Sequence, residues 1–371
     1  MKRISIVRSG KEFANKTDEN SWNLVWQPTF FPGCRPQNRN DNGRTMTILV
    51  TGATGLLGNN IVRDLLAQGE QVRVLSRELR TTRPLDGLAV DRRQGDIRQP
   101  NVVREALEGV STVIHSAGHV HIGWSQVQTH RAINVEGTRH IAEAACEMHA
   151  RLVYVSSVNA LGLGAKDFEA DEDTARPGIV ACPYVTTKAE AERVVEEFVE
   201  KGLDAVTVNP GFMLGPWDWR PSSGRMLLEV AQRFTPLAPA GSFNVCDVRD
   251  VSAGTIAAAK VGKTGRRYIL GGHNLTYFDL WKRMAQTAGK RGPLFPAGPM
   301  QRFFGGWFGD LWYRLSGKEP DLNSAGVGMS TQHHRFRSDR AIKELGYRIR
   351  PLEETLQDAW NWFIEYGYVK R

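Results

Sequence analysis

Tyr184 and Lys188 stand four residues apart in Tyr184-Val185-Thr186-Thr187-Lys188, with Pro183 well placed to begin a helix. That spacing stacks both side chains on one helical face. A phenol titrates near pH ~10 in water, so a tyrosine exchanges protons poorly at neutral pH until a nearby cation stabilises its phenolate. Lys188 is that cation. Taken alone, a Tyr and a Lys at this spacing are usually a solvated helix face, so the pair needs company. Upstream, Val155-Ser156-Ser157-Val158-Asn159 closes a β-rich run, where a serine hydroxyl can point into the same cleft.

The elements that would position these groups begin at Met46. Short β-rich runs (Ile48 to Thr51, Val72 to Ser76, Ala89 to Gln94, Thr112 to Ser116, Leu152 to Ser156, Ala205 to Val208) alternate with helical patterns starting near Leu56, Asn101, Thr129 and Tyr184. This alternation predicts an α/β fold, a Rossmann-type doubly wound parallel sheet with its ligand beyond the carboxyl ends of the strands. The first run leads into Thr51-Gly52-Ala53-Thr54-Gly55-Leu56-Leu57-Gly58. Glycines at 52, 55 and 58 let the backbone approach a pyrophosphate, and the helix opening there offers unpaired N–H groups and a positive dipole end. The turn therefore predicts a dinucleotide site in which Gly52, Thr54, Gly55, Leu56 and Gly58 touch the cofactor.

Other strand ends refine the expectation. The second run closes on Ser76-Arg77, where an acid would bind a ribose 2′-hydroxyl; Ser76 and Arg77, with Arg80 and Arg83 nearby, suit a 2′-phosphate instead. NADP(H) is favoured, with NAD(H) the alternative. Asp96 and Ile97 follow the third run, and the Asp96 carboxylate is placed either to accept from an adenine amino group or to close a plain turn. Ser116, Ala117 and Gly118 end the fourth with small residues that let a cofactor ribose pass. His119 and His121 follow at i, i+2, but no carboxylate or cysteine nearby completes a metal site, so no metal is expected and a substrate pocket is the better reading. Asn134 to Thr138 fall inside a long helical pattern, where Gly137 implies close packing under the sheet.

Together these residues resemble the extended short-chain dehydrogenases/reductases, in the branch of dihydroflavonol reductases, 3β-hydroxysteroid dehydrogenases and hopanoid-associated epimerase-like proteins. The resemblance runs from about Met46 to the C-terminus and rests on the glycine turn, Gly95-Asp96, Asn134 to Thr138, Ser156-Ser157, Tyr184 with Lys188, and Asn209-Pro210-Gly211 before Gly215-Pro216. It implies hydride transfer at a nicotinamide, with Tyr184 as acid and base, Ser157 (counting back from Gly162) holding the substrate oxygen, Lys188 on the nicotinamide ribose and lowering the Tyr184 pKa, and Asn134 supporting Lys188. Pro210 and Met213 join the implied cofactor contacts, and His119, His121, Trp124 and Asn159 the implied substrate contacts. Val158-Asn159 stands where the family's dehydratases need an Asp-Glu pair, which disfavours dehydration. The expected function is reduction of a ketone, or oxidation of a secondary alcohol, on an apolar or polycyclic molecule. An NAD-dependent sugar-nucleotide epimerase and a non-catalytic nucleotide sensor are the alternatives.

Composition bounds the rest. The 371 residues are 41% hydrophobic and 24% charged, as in ordinary globular proteins, and no apolar run reaches the ~18 residues a membrane span needs. Half of the net charge of +8 falls before Met46, and no basic and aromatic interleaving suggests nucleic acid. Residues 1–45 read as a disordered or non-native leader, 46–210 as the nucleotide-binding domain, and 211–371 as mainly a smaller mixed substrate region with segments returning to the sheet. The spacing of the four cysteines fits a reducing cytoplasm. A monomer or homodimer is expected. Phe304, Trp307, Phe308, Leu311 and Leu315 recur at helical spacing, which predicts a stripe packed on the core; a lid over an apolar substrate or a weak contact with a membrane surface is the alternative. Gly305, Gly306 and Gly309 argue against a continuous helix there.

Overall fold

The computed structural model describes residues 46–78, 83–176 and 178–369; the leader and Arg80 lie outside the described residues. Seven strands make the central sheet: β1 (Thr47–Thr51), β2 (Gln71–Ser76), β3 (Asp91–Gln94), β4 (Val110–His115), β5 (Arg151–Val155), β6 (Ala205–Pro210) and β10 (Arg267–Leu270), in the order β10-β6-β5-β4-β1-β2-β3. Every pairing is parallel. The order reverses between β1 and β4, where a crevice opens beyond the strand ends.

Strand residues alternate between two cores because successive side chains point to opposite faces. Ile48 and Val50 enter one core, beneath the helices Leu56–Ala67 and Val248–Val261. Leu49 enters the other, with Leu152 and Tyr154, under the helices Pro100–Leu107, Gly137–Glu147 and Pro183–Glu200. Each fully buried aliphatic side chain contributes about 1.5–3 kcal/mol relative to exposure.

Beyond β6 the chain adds β7 (Phe212–Leu214), β8 (Leu237–Ala238), β9 (Ser242–Asp247), β11 (His273–Thr276) and β12 (Phe295–Pro296). These form a three-stranded sheet, β11-β9-β7, and a β12-β8 pair. The helices Gly224–Gln232, Tyr277–Thr287 and Leu352–Glu365 share a third core there.

Three expectations need correction. The segment from Val127 is not one regular helix: a wider π-type stretch, Arg131–Glu136, carries Asn134 and precedes Gly137–Glu147. Gly137 does pack closely, since a Cβ there would meet Ile97 Cδ1 at 2.7 Å. Pro299–Ser316 is a continuous helix despite its glycines, and its aromatic stripe does not pack on the core. Its buried residues are Gly306 and Gly309. A Cβ at Gly309 would collide with the Leu322 carbonyl oxygen, so glycine lets the helix lie on the 321–324 backbone while the aromatics face out.

Candidate active site

The glycine turn sits at the β1–β4 crevice. Gly52 has φ +71°, which favours glycine, and a Cβ there would stand 2.6 Å from Ala117 N. Gly55 N–H donates to Gly52 O (2.9 Å), and Gly55 opens the Leu56–Ala67 helix with no side-chain cap and no acidic residue in its first turn. A Cβ at Gly58 would strike Gly52 O, so the third glycine seats the helix on the turn. An uncapped helix N-terminus beside a backbone without side chains fits a dinucleotide pyrophosphate.

Behind the turn runs a buried chain of hydrogen bonds. Ala117 N–H donates to Thr51 Oγ1 (3.3 Å), and Thr51 Oγ1 lies 2.7 Å from His115 Nδ1. His115 Nε2 lies 3.2 Å from Thr138 Oγ1, whose hydroxyl donates to Asn134 O (2.6 Å). Thr138 must therefore accept from His115 Nε2–H, which leaves Nδ1 to accept from Thr51. Full burial, then the Lys188 charge, push His115 down to about 3, so it stays neutral. The chain ties the turn to the π-type stretch.

Asn134 is spent on the neighbouring loop. Its Oδ1 accepts from His119 N–H (2.7 Å), and its Nδ2 donates to His119 O (3.1 Å) and Thr187 Oγ1 (3.2 Å). This clamp holds Gly118 and His119 over Lys188: a Cβ at Gly118 would come within 3.4 Å of Lys188 Nζ.

Tyr184 and Lys188 are both buried on the Pro183–Glu200 helix. Lys188 Nζ donates to Val155 O (2.9 Å) and stands 5.2 Å from the Tyr154 ring centroid. Burial lowers its pKa to about 8, with Glu192 opposing. Burial raises the Tyr184 phenol, with a hydrogen bond to the Ser157 side chain partly offsetting it. The Lys188 ammonium is turned to Val155 O, and desolvation is the largest influence on the Tyr184 phenol. Ser157 Oγ accepts from Asn159 N–H (3.2 Å), which orients the hydroxyl. Asn209 donates to Ser157 O (3.0 Å) and to Glu192 Oε1 (2.6 Å), so it supports the serine from below.

Other expected contacts divide. Ser116 N–H donates to Thr51 O (3.3 Å); Thr54 lies on the turn, Leu56 on its helix and Ala117 just beyond β4, while Pro210 ends β6 and Met213 lies within β7. Ser76 Oγ donates to Glu78 O (3.0 Å), and Arg77 is exposed beside it. Arg83 is turned away, its guanidinium 4.8 Å from the Trp219 ring centroid. Asp96 receives a fork from Arg98, N–H at 2.9 Å and Nε at 3.0 Å, whose hydrogen bonds hold its carboxyl below the usual range. It therefore closes its own turn. Ile97 is buried and its carbonyl lies 2.9 Å from His140 Nδ1. Trp217 and Trp219 pack with Trp362 and Tyr366.

The loop of His119, His121 and Trp124 is latched to the C-terminal region. Glu319 accepts from Trp124 N–H (2.7 Å), Ser125 N–H (3.0 Å) and the Ser125 hydroxyl, and lies 2.8 Å from His121 Nε2. Burial opposes its ionisation, yet the hydrogen bonds from Ser125, His121 and the two amides outweigh it and hold Glu319 at about 2. Trp124 Nε1 donates to Ser324 Oγ (2.7 Å), and His119 Nε2 lies 2.8 Å from Gln126 Oε1. Among the described residues no group of three or more His, Cys, Asp or Glu is arranged to hold a metal. Glu319, nearly two hundred residues from His121, gave no local sequence signal. Thr51 and His115 lay within expected strands and Asn209 one residue past one, but their partners come from distant elements.

Residues 48–271 match the model of the NAD dependent epimerase/dehydratase family. The chain is 35% identical over 329 residues to a protein named sterol demethylase protein B from Methylococcus capsulatus, across 87% of this chain and 100% of that protein. It is 26% identical over 324 residues to the 4-hydroxy-2-methyl-3-oxo-4-farnesyl-3,4-dihydroquinoline-1-oxide ketoreductase of Stigmatella aurantiaca, across 85% and 95% of the two. The crystal structure of gox2253 superposes with a TM-score of 0.77 at 34% identity, covering 88% of this chain and 100% of that one. With more than half of its length inside the family model and a relative matched end to end, the chain belongs to the NAD dependent epimerase/dehydratase family, among the extended short-chain dehydrogenases/reductases, and is an NAD(P)-dependent oxidoreductase.

Proposed function

We propose that this protein is an NADPH-preferring reductase that converts a ketone on an apolar, polycyclic or isoprenoid-bearing molecule to a secondary alcohol. The observation that carries the reading is that Ser157, Tyr184 and Lys188 are buried together where β5 ends and the Pro183–Glu200 helix begins, with Lys188 Nζ donating to Val155 O at that strand end. The nicotinamide supplies the hydride when bound; the chain's own residues bind, orient and deliver the proton. Ser157, oriented by the Asn159 amide, holds the substrate oxygen. The Tyr184 phenol, raised by burial, is protonated at neutral pH and gives its proton to that oxygen. Lys188, fixed by Val155 O, holds the nicotinamide ribose, and the Asn134 clamp keeps the covering loop in place.

The substrate class follows from composition and likeness. The latched loop carries Trp124, His119 and His121, and the relatives' names include a sterol-related protein and a ketoreductase of a farnesylated ring. The preference for NADPH rests on Ser76 and the exposed Arg77 at the end of β2, a strand end without the acid that would repel a 2′-phosphate. Tyr184→Phe should keep NADPH binding, read by fluorescence titration, while NADPH oxidation against a ketone panel falls by about 10²–10⁴. Undiminished turnover in that variant would sink the assignment.

A further inference from the structure

The Pro299–Ser316 helix turns its apolar side to solvent. Phe303 is 67% exposed, Trp307 50%, Phe308 60%, Trp312 61% and Leu315 79%. Single exposed apolar residues need no explanation, but so many on one helix face form a patch of the kind that marks an interaction site. The chain spends three glycines to present it, because Gly305, Gly306 and Gly309 lie against Leu322 and Ser324 and leave the aromatics outside.

The charges around the patch select its occupant. Arg314 and Lys318 are exposed at its C-terminal end, and Arg302 lies at its N-terminal end, anchored to Gly298 O. The helix's one acid, Asp310, is turned inward and accepts from Ser324 N–H (3.0 Å). Glu319 is locked in the latch, and Asp321 is paired with Arg225 (3.1 Å). The outward face is thus aromatic and cationic. A second copy packed on this face would set basic ends against basic ends in either direction. An anionic bilayer surface meets both features at once: Trp and Phe settle at the boundary between headgroups and acyl chains, while Arg and Lys meet phosphate.

We infer that the Pro299–Ser316 helix seats the protein on anionic membrane surfaces. The seat also adjoins the Trp124 loop, because Ser324, whose N–H donates to Asp310 Oδ1 (3.0 Å), accepts from the Trp124 indole N–H (2.7 Å). An apolar molecule leaving the bilayer would meet the Trp124 loop first.

Co-sedimentation tests this without turnover, so its outcome is independent of the substrate assignment. The full chain is mixed with phosphatidylcholine vesicles, alone or with phosphatidylglycerol as about a third of the lipid. Strong sedimentation with the anionic vesicles and little with the neutral ones is expected. A Trp307→Ser, Phe308→Ser double variant, with circular dichroism and melting temperature unchanged because both residues are exposed, should lose most of the bound fraction. Arg314→Gln with Lys318→Gln should weaken partitioning roughly tenfold or more, about fivefold per charge. Absence of sedimentation, equal binding to both vesicle types, or a double variant that binds like the parent would each overturn the inference. A concentration-dependent dimer in sedimentation equilibrium that the double variant abolishes would assign the face to a second copy instead.

Discussion

Lys188 shows at the scale of one residue how function strains stability. Burial brings its pKa from 10.5 down to about 8, so the folded state releases a proton that the unfolded chain still holds. Between about pH 8 and 10.5 the unfolded state binds more protons, and stability contributed by this site rises with pH. Below pH 8 the buried ammonium costs about 3 kcal/mol. Lys188→Met removes that cost but leaves Val155 O without its donor, worth about 1–3 kcal/mol. The variant is expected to be stabilised by up to ~2 kcal/mol, measured by urea unfolding at pH 7, while losing turnover. A clear fall in stability would show that the lysine is better solvated than its burial implies. In the unmutated enzyme the same deprotonation predicts that kcat/KM declines as pH rises through about 8, since the charge proposed to hold the ribose is lost.

Elements carry a different kind of constraint, and the Pro299–Ser316 helix makes it measurable. Helix propensity alone favours alanine over glycine by about 1 kcal/mol. At Gly305 the nearest atom to an added Cβ is 3.7 Å away, an ordinary contact, so Gly305→Ala should raise the melting temperature slightly. At Gly309 the Leu322 carbonyl blocks the Cβ, so Gly309→Ala should lower it by several degrees although the residue type is the same. Equal responses would mean that the helix does not rest on the 321–324 backbone. The latch gives a second test: Glu319→Ala removes the acceptor for the Trp124 and Ser125 amides, and hydrogen bonds to a charged group are worth about 1.5–3 kcal/mol each. Amide exchange at those two residues should accelerate at least about tenfold, with KM rising more than kcat changes. Unaltered exchange would show the loop to be held by other contacts.

At the scale of the whole molecule, cofactor binding is linked to global stability. A ligand at about a hundred times its dissociation constant adds roughly 2.7 kcal/mol, so the favoured dinucleotide should give the larger thermal shift. NADPH is expected to exceed NADH, and Arg77→Glu should reverse the order by pairing an acid with the 2′-hydroxyl and repelling the 2′-phosphate. A larger shift with NADH in the unmutated protein would remove the proposed preference.

The sequence by itself determined the strand and helix alternation, the glycine turn and the Tyr184–Lys188 pair, because periodicity, glycine spacing and i, i+4 geometry are local properties of the chain. It could not decide the direction of the aromatic stripe. Phe304, Trp307 and Phe308 have the same spacing whether they face a core or solvent, and only the position of Leu322 shows that the glycine side is the one that packs. Tertiary structure alone also decided that Arg83 stacks on Trp219 and that Glu319 reaches across the chain to hold the loop of His121 and Trp124. Each of these depends on which distant group reaches a polar or aromatic side chain, and desolvation, also set by the whole fold, pushes the Tyr184 phenol up and the Lys188 ammonium down.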